Sequence, residues 1–500
     1  MKILSAEQIR NWDQYTIEHE PISSIDLMER AASRVTEWIL DHYPDRPYSI
    51  FCGKGNNGGD GLAVARQILQ SRPAAIVTIH ILEFGAKGTE DFQINLARLH
   101  QYPQASILYI QAEEQLPLID KEELVVDALF GSGLNRGLEG LTAALVNHLN
   151  ASGANIVSID IPSGLFTDHS AKGMVAVHAR HTLSFQCYKP AFLFAENQSH
   201  TGELEILDIS LSPEYPESIH AEFEFITLQS LKKIFRPRNK FAHKGNFGHA
   251  LILAGSPGKM GAAVLSARAC LRSGVGLLTM LSPLAGTDIL QSSVPEAMVL
   301  TSLDLKEADW SKYASLGIGP GIGSSDPTID LVSMILDKAT VVDADALNII
   351  SQRTVLLNQL RFGTILTPHP KEFERLFGHT SNDFEKAALA RAKAKELGLI
   401  IILKGHYSLV AFPDGRAFFN ITGNAGMATG GSGDVLTGIL TGLVAQGYEP
   451  EEAALLGVFL HGLAGDIAAE KLSMEAMIAS DITDNLGEAF LQIQMTISNQ

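Results

Sequence analysis

Strand-length apolar runs and helix-period stretches alternate along this chain almost from end to end. In the first half, the runs at 49–52, 75–82, 124–129, 156–161 and 205–209 read as strands. They are continuously apolar and separated by helical periodicity, which predicts a parallel sheet covered on both faces. Ahead of them, Ser5 and Gln8 have the spacing of a capping box, and 25–40 puts Leu27, Met28, Ala31, Val35 and Ile39 on one side of a helix. The alternation restarts in the second half with runs at 249–254, 277–280, 315–318, 340–343, 364–367 and 399–404, linked by helical stretches such as 261–273. Between the two sets, residues 211–238 carry prolines at 213, 216 and 237 and a mixed polar composition, which suits a boundary followed by one connecting helix. The pattern predicts two α/β domains, 1–217 and 218–500, and no fixed-period similarity marks a repeat array.

Composition narrows the partners. A chain of 500 residues, 46% hydrophobic and 19% charged, exceeds the about 250–300 residues at which single cores stop growing. Its 56 acidic against 38 basic residues give a net charge of −18. With no basic run visible, this argues against nucleic acid or an anionic membrane as partner. An anionic ligand must then be held by backbone amides and a few lysines. Cys52, Cys187 and Cys270 are far apart and form no CxxC pair, which disfavours a disulfide framework or thiolate metal site and fits a reducing cytoplasm. Residues 1–10 have no long apolar core, and no uninterrupted apolar stretch of about 18 residues occurs, so a soluble cytoplasmic protein is expected. Acidic, alanine-rich helices near 451–470 are compatible with a homo-oligomer.

The chemistry concentrates where strands run into glycine-rich turns. The run ending at Cys52 passes into GKGNNGGDG at 53–61 and then into a helical pattern at 62–70. Glycines let backbone approach a ligand, and the open amides and dipole of a helix start favour an anion. The spacing matches neither the P-loop nor the G-x-G-x-x-G dinucleotide fingerprint. A tight turn needing glycine for steric reasons is the alternative, and the adjacent Asn56, Asn57 and Asp60 argue against it. Two further strand ends, DALFGSGLNRG at 127–137 and DIPSG at 160–164, would meet the first on one edge of the sheet. There Asp127, Ser163 and the Asn57 side chain supply oxygen ligands for a hard cation, Gly131 to Gly137 line an anion, and Asp160 faces the reacting group. Singly, each acid reads equally well as a cap or turn former. Their joint placement after three strands favours the functional reading.

In the second half, NITGNAGMATGGSGD at 420–434 runs directly into a helix at 435–444. Amides at such a helix start converge on one spot with Asp434 beside them, an arrangement suited to phosphoryl transfer: an anion hole for the moving group and a carboxylate for the proton of the attacking hydroxyl. A glycine-rich cap with an acid in the first turn is the plain structural alternative. Asp343 and Asp345 end a strand and read equally as structural or as water-mediated magnesium contacts, and His243, His249 and His461 lack zinc spacing.

GKGNNGGDG, DALFGSG and DIPSG, in this order, resemble the amino-terminal domain of the NAD(P)H-hydrate repair proteins over about residues 1–215. The resemblance implies a Rossmann-like three-layer α/β sandwich that epimerises hydrated nicotinamide nucleotides. By it, Asn56, Asn57, Gly58, Gly59, Asp60, Gly131, Ser132, Gly133, Leu134, Asn135, Arg136 and Gly137 contact the dinucleotide. Asn57, Asp127 and Ser163 surround potassium, and Asp160 is the catalytic group by the hydrated ring. LMERAA at 27–32 also fits, with Ala32 where a glycine is common, a change that bears on packing only. Gly-Ser-Gly-Asp before a helix resembles ribokinase-like kinases. HKGNFGHALILAGSPGKMGAA at 243–263, GIGPGIG at 317–323, VVDADALN at 341–348, TPHPKEF at 367–373 and LKGH at 403–406 narrow this to the ADP/ATP-dependent NAD(P)H-hydrate dehydratase, over about 225–495. That implies that Lys404, Gly405, His406, Tyr407, Ser408 and Gly433 contact ADP or ATP with Mg2+. Ala263, Gly323, His369 and Asp434 face the hydrated dinucleotide, with Asp434 catalytic, while Lys371 replaces a frequent glycine at the rim. The expected partners are NADHX, NADPHX and ADP or ATP. A ribokinase-like small-molecule kinase fused to a nucleotide-binding domain is the rival enzyme, which would leave a stable phosphorylated product; a non-catalytic NAD(P) sensor is the rival outside enzymes.

Overall fold

The computed structural model describes residues 2–85, 87–301 and 309–498. They divide into two compact units, Lys2–Glu222 with Asn382–Phe384, and Phe223–Ser381 with Glu385–Gln500.

In the first unit, seven strands form one sheet in the order Ser106–Ile110, Val77–Leu82, Tyr48–Cys52, Leu124–Ala128, Asn155–Ile159, His181–Phe185 and Glu203–Leu207. All neighbours are parallel. Successive side chains of a strand point to opposite faces, and here both faces are covered. Tyr48, Ile50 and Cys52 join one core with Val35 and Ile39 of helix Ser24–His42 and Leu62 and Ile68 of helix Asn56–Ser71. Phe51, Val125 and Ile156 join a second core with Leu145 and Leu149 of helix Gly140–Ala151. That is why the central strands are mostly apolar, with only isolated polar residues such as Ser49 and Ser158 among them. Chain order reverses between Tyr48–Cys52 and Leu124–Ala128, so the loops leaving them diverge and open a crevice at the strands' carboxyl ends. Ser106–Ile110 and His181–Phe185 lie outside the sequence-based expectation. The first is an edge strand with Leu108 and Tyr109 exposed; the second carries polar Thr182 and Ser184 inward, which breaks the apolar signature.

Strands of the second unit follow the order Phe223–Phe225, Ala417–Asn420, Ser408–Ala411, Ile400–Leu403, Ile365–Leu366, Val341–Val342, Ser315–Ile318, His249–Leu253, Leu277–Leu281 and Met298–Leu300. The parallel expectation holds from Ile400–Leu403 onward. Ser408–Ala411 runs antiparallel to both its neighbours, and this hairpin strand lies outside the sequence-based expectation, whose last run ends at 404. Helix Pro450–Leu472 is, among the described residues, long and apolar enough to cross a membrane, yet Leu456, Leu460, Ala464 and Ala468 are wholly buried in the core of its own unit. The stretch expected to be compatible with oligomers therefore spends its apolar positions internally.

Candidate functional site

In the first unit, loops from three neighbouring strand ends line a cleft of about 590 Å³. Helix Asn56–Ser71 starts at Gly55 and no side chain caps it, which leaves its first amides open to a ligand. Gly58 is fixed by contact: a Cβ there would lie 1.7 Å from the carbonyl oxygen of Gly53. Asn56, Asn57, Asp60, Gly131, Ser132, Gly133, Leu134, Asn135, Arg136 and Asp160 line the cleft. Gly58, Gly59 and Gly137 shape the loops without lining it, and Asp127 and Ser163 lie buried away from its surface.

Asp160 follows strand Asn155–Ile159 with φ of 70°, a left-handed conformation that costs a non-glycine residue strain and marks functional turns. Both of its oxygens are committed. Oδ1 pairs with Lys189 Nζ at 2.8 Å and Oδ2 accepts the Ser132 amide at 2.9 Å. Lys189 is completely buried and also donates to Ser184 Oγ. Burial raises the Asp160 pKa, but the Lys189 charge and the hydrogen bonds from Lys189 and Ser132 outweigh it and hold the carboxyl below the usual range. Asp60 goes the other way: burial first, then the charges of Asp160, Asp13 and Asp91, drive it well above the ordinary value.

Asp127 is a hydrogen-bond hub. Its Oδ1 accepts from Ser163 Oγ at 2.6 Å and Leu129 N at 3.2 Å, and its Oδ2 from Ser158 Oγ at 2.8 Å and Ser163 N at 2.9 Å. Burial still pushes its pKa up against those bonds. Asn57 is the contrast, with both carboxamide atoms buried and unpartnered among the described residues. Such orphaned groups call for an ion or water. An unsatisfied amide oxygen on a residue that lines the cleft has the chemistry a hard cation needs, while the Asp127 oxygens are taken up by hydrogen bonds that hold Ser163.

In the second unit, helix Ser432–Ala445 starts at Gly431, whose φ of 98° favours glycine, and no side chain caps it. Asp434 sits in its first turn and forms no hydrogen bond or ion pair among the described residues. Burial, reinforced by Asp343 and Asp345 and opposed by Lys404, pushes its carboxyl up to about 6. Asp343 is engaged instead: Lys404 Nζ and Thr437 Oγ1 each lie 2.8 Å from one of its oxygens. A Cβ on Gly433 would come within 3.3 Å of Lys404 Nζ, so the glycine keeps the helix start against this pair. Asp345 accepts the Gly323 amide at 2.8 Å and pairs with Lys259 at 3.2 Å. His369 caps helix Pro370–Phe377, its Nδ1 accepting the amides of Lys371 and Glu372. Gly405 and His406 are exposed in the turn between strands Ile400–Leu403 and Ser408–Ala411, with Tyr407 and Ser408 half-buried. Ala263 is fully buried in helix Met260–Arg272 beneath the Gly255 turn.

Sequence reasoning missed Lys189 and Asp13. A lone lysine within the largely apolar run 187–194 was the available signal for the first, because a charge folded into such a segment needs an acid partner. Asp13 stands four residues from both Ile9 and Ile17 on helix Ala6–His19, an acid inside an apolar stripe, and all three line the cleft.

Residues 24–191 match the family described as YjeF-related protein N-terminus, and residues 250–487 the family described as NAD(P)H-hydrate dehydratase. The chain is 37% identical to the bifunctional NAD(P)H-hydrate repair enzyme of Moorella thermoacetica, over 97% of this chain and 96% of that one. It is 31% identical to the enzyme of the same name from Escherichia coli, over 96% and 92% of the two chains. A crystal structure of a ribokinase-like superfamily protein from Enterococcus faecalis V583 is similar at a TM-score of 0.50 and 27% identity, covering 55% of this chain and 98% of its own. The likeness assigns the second unit a ribokinase-like fold.

Proposed function

Because the chain belongs to the family of bifunctional NAD(P)H-hydrate repair enzymes, we propose that its first unit interconverts the R and S forms of NAD(P)H hydrate and its second dehydrates the S form, consuming ADP or ATP. The supporting observation is that likeness to bifunctional relatives spans both halves, and each half carries a glycine-lined strand end with one carboxylate in a distinct electrostatic state.

In the second unit, the hydroxyl on the carbon next to the ring nitrogen attacks the terminal phosphoryl group of the nucleotide, and Asp434 takes its proton. The nitrogen lone pair then expels phosphate, so a poor leaving group departs as a good one. Amides at the start of helix Ser432–Ala445 neutralise the moving phosphoryl group. Lys404, tied to Asp343, stands by the nucleotide with Gly405, His406, Tyr407, Ser408 and Gly433, and Ala263, Gly323 and His369 border the hydrated dinucleotide. Magnesium, carried on the phosphates, supplies charge neutralisation, and the mutual repulsion of Asp343, Asp345 and Asp434 suits a cation there. In the first unit, the amides around Asn56 to Asp60 and Gly131 to Gly137 hold the pyrophosphate, Asp160 faces the ring, and potassium at Asn57 with Asp127 and Ser163 fixes the loops. The buried free thiols of Cys52, Cys187 and Cys270 accord with a reducing cytoplasm.

Mixed epimers of NADH hydrate incubated with the protein, with and without ADP, should return completely to NADH only when ADP is present. Asp434→Asn should abolish recovery, while Asp160→Asn should leave only the S fraction recovered. A wild type that recovers one epimer alone removes the epimerase half, and a stable phosphorylated product replaces the dehydratase half with a kinase. Replacing potassium by sodium should slow epimerisation and leave dehydration of the S form unchanged.

A further inference from the structure

Four carboxyls line the first unit's cleft, Asp13, Asp60, Asp91 and Asp160, and three of them differ sharply in their surroundings. Asp160 is ionised and has both oxygens committed to Lys189 and Ser132. Asp60 is driven well above the ordinary carboxyl range by burial and by its acidic neighbours Asp160, Asp13 and Asp91. Asp13, on helix Ala6–His19, reaches the same cleft and forms no hydrogen bond or ion pair among the described residues. From this arrangement we infer that Asp13 is a further catalytic residue of the epimerisation, the group that gives a proton to the departing hydroxyl and takes one back, while Asp160 supplies fixed negative charge. The inference rests on the epimerase reading of this cleft.

The environment fits that division. Burial, then the charge of Asp160, opposed by Lys189, raises Asp13 to about 7, where a group both donates and accepts at neutral pH. Paired titratable groups pushed apart by their surroundings mark acid and base roles. The other titratable groups lining the cleft besides Cys187 are Arg10 on the same helix, Asp60, Asp91 and Arg136. The neighbouring thiol of Cys187 is pushed up to about 11 by burial and stays protonated. In the step itself, the bond from ring carbon to hydroxyl breaks with its electron pair on oxygen, which takes the Asp13 proton and leaves as water. The ring nitrogen's lone pair forms the carbon–nitrogen double bond, and the positive charge faces Asp160. Water adds to the opposite face, the double-bond pair returns to nitrogen, and the surplus proton passes through cleft water to Asp13.

The test follows interconversion of purified epimers by chromatography across pH. For wild type, kcat/KM should fall as pH rises through about 7, because the protonated acid is needed. Asp13→Asn should lose about 10²–10⁴-fold in kcat with KM unchanged and lack that alkaline limb, and Asp13→Glu should restore part of both. Asp60→Asn should keep the limb. Integrity of Asp13→Asn is read from unchanged ADP-dependent dehydration of the S form. It is also read from thermal unfolding: the raised carboxyl costs stability as pH climbs from its ordinary value through about 7, so removing it should raise the melting temperature above that pH. Asp13→Asn epimerising at the wild-type rate, or retaining the limb, overturns the role of Asp13 alone. A wild type that interconverts nothing overturns the epimerase reading with it.

Discussion

Asp160 and Asp434 hold matching places in the two units, each a single carboxylate where a strand-end or helix-start loop is lined by glycine, yet their surroundings drive them apart. Asp160 meets Lys189, buried beside it, and is held ionised. Asp434 is raised to about 6 by burial and by Asp343, because Lys404, which opposes the rise, is paired with Asp343 instead. A permanently charged carboxylate stabilises developing positive charge; one titrating near neutrality transfers protons. The same local grammar thus yields two kinds of group, and the position of one lysine decides which.

The comparison breaks most sharply at Asp434. Asp434→Asn removes the proton acceptor and should lower dehydration kcat by about 10²–10⁴-fold, read from NADH absorbance with ADP present, while epimer interconversion persists. Lys189→Met is the matching attack on the other unit. It leaves Asp160 buried without its cation, a change that typically costs about 3–5 kcal/mol. Calorimetry should show the first unit's transition shifted down and the second's unmoved; equal shifts would mean that the pair does not define the contrast. Thr437→Val strips one hydrogen bond from the buried Asp343 carboxylate. A bond to a charged group is worth about 1.5–3 kcal/mol, so denaturant titration should show that loss confined to the second unit. The smallest effect is in pH dependence. As a base, Asp434 must be ionised, so dehydration kcat/KM should be flat above about 6 and fall about tenfold per unit below it. Asp160, held below its usual range, should impose no acid limb there on epimerisation.

How legible this was in the sequence varies by element. Strands buried on both faces, such as Tyr48–Cys52 and Ser315–Ile318, announce themselves because most of their residues must be apolar. Edge strand Ser106–Ile110 and the hairpin strand Ser408–Ala411 do not: one is half solvated, and the other is only four residues long and opens on a serine. Asp160 and Asp434 stood out because glycine motifs frame them, whereas Asp13 has no such frame and sits on a helix whose approach to the cleft is a product of packing.

The amino-acid sequence by itself determined the alternation of strand and helix, the two-unit division of the chain and the glycine loops that any anion-binding strand end needs, because these follow from periodicity and backbone sterics over a few residues. Only the tertiary structure decided which acid keeps its proton. Lys189 lies 29 positions beyond Asp160 and Asp13 lies 147 before it, by subtraction of their numbers. Electrostatic fields and burial act across space and are blind to distance along the chain.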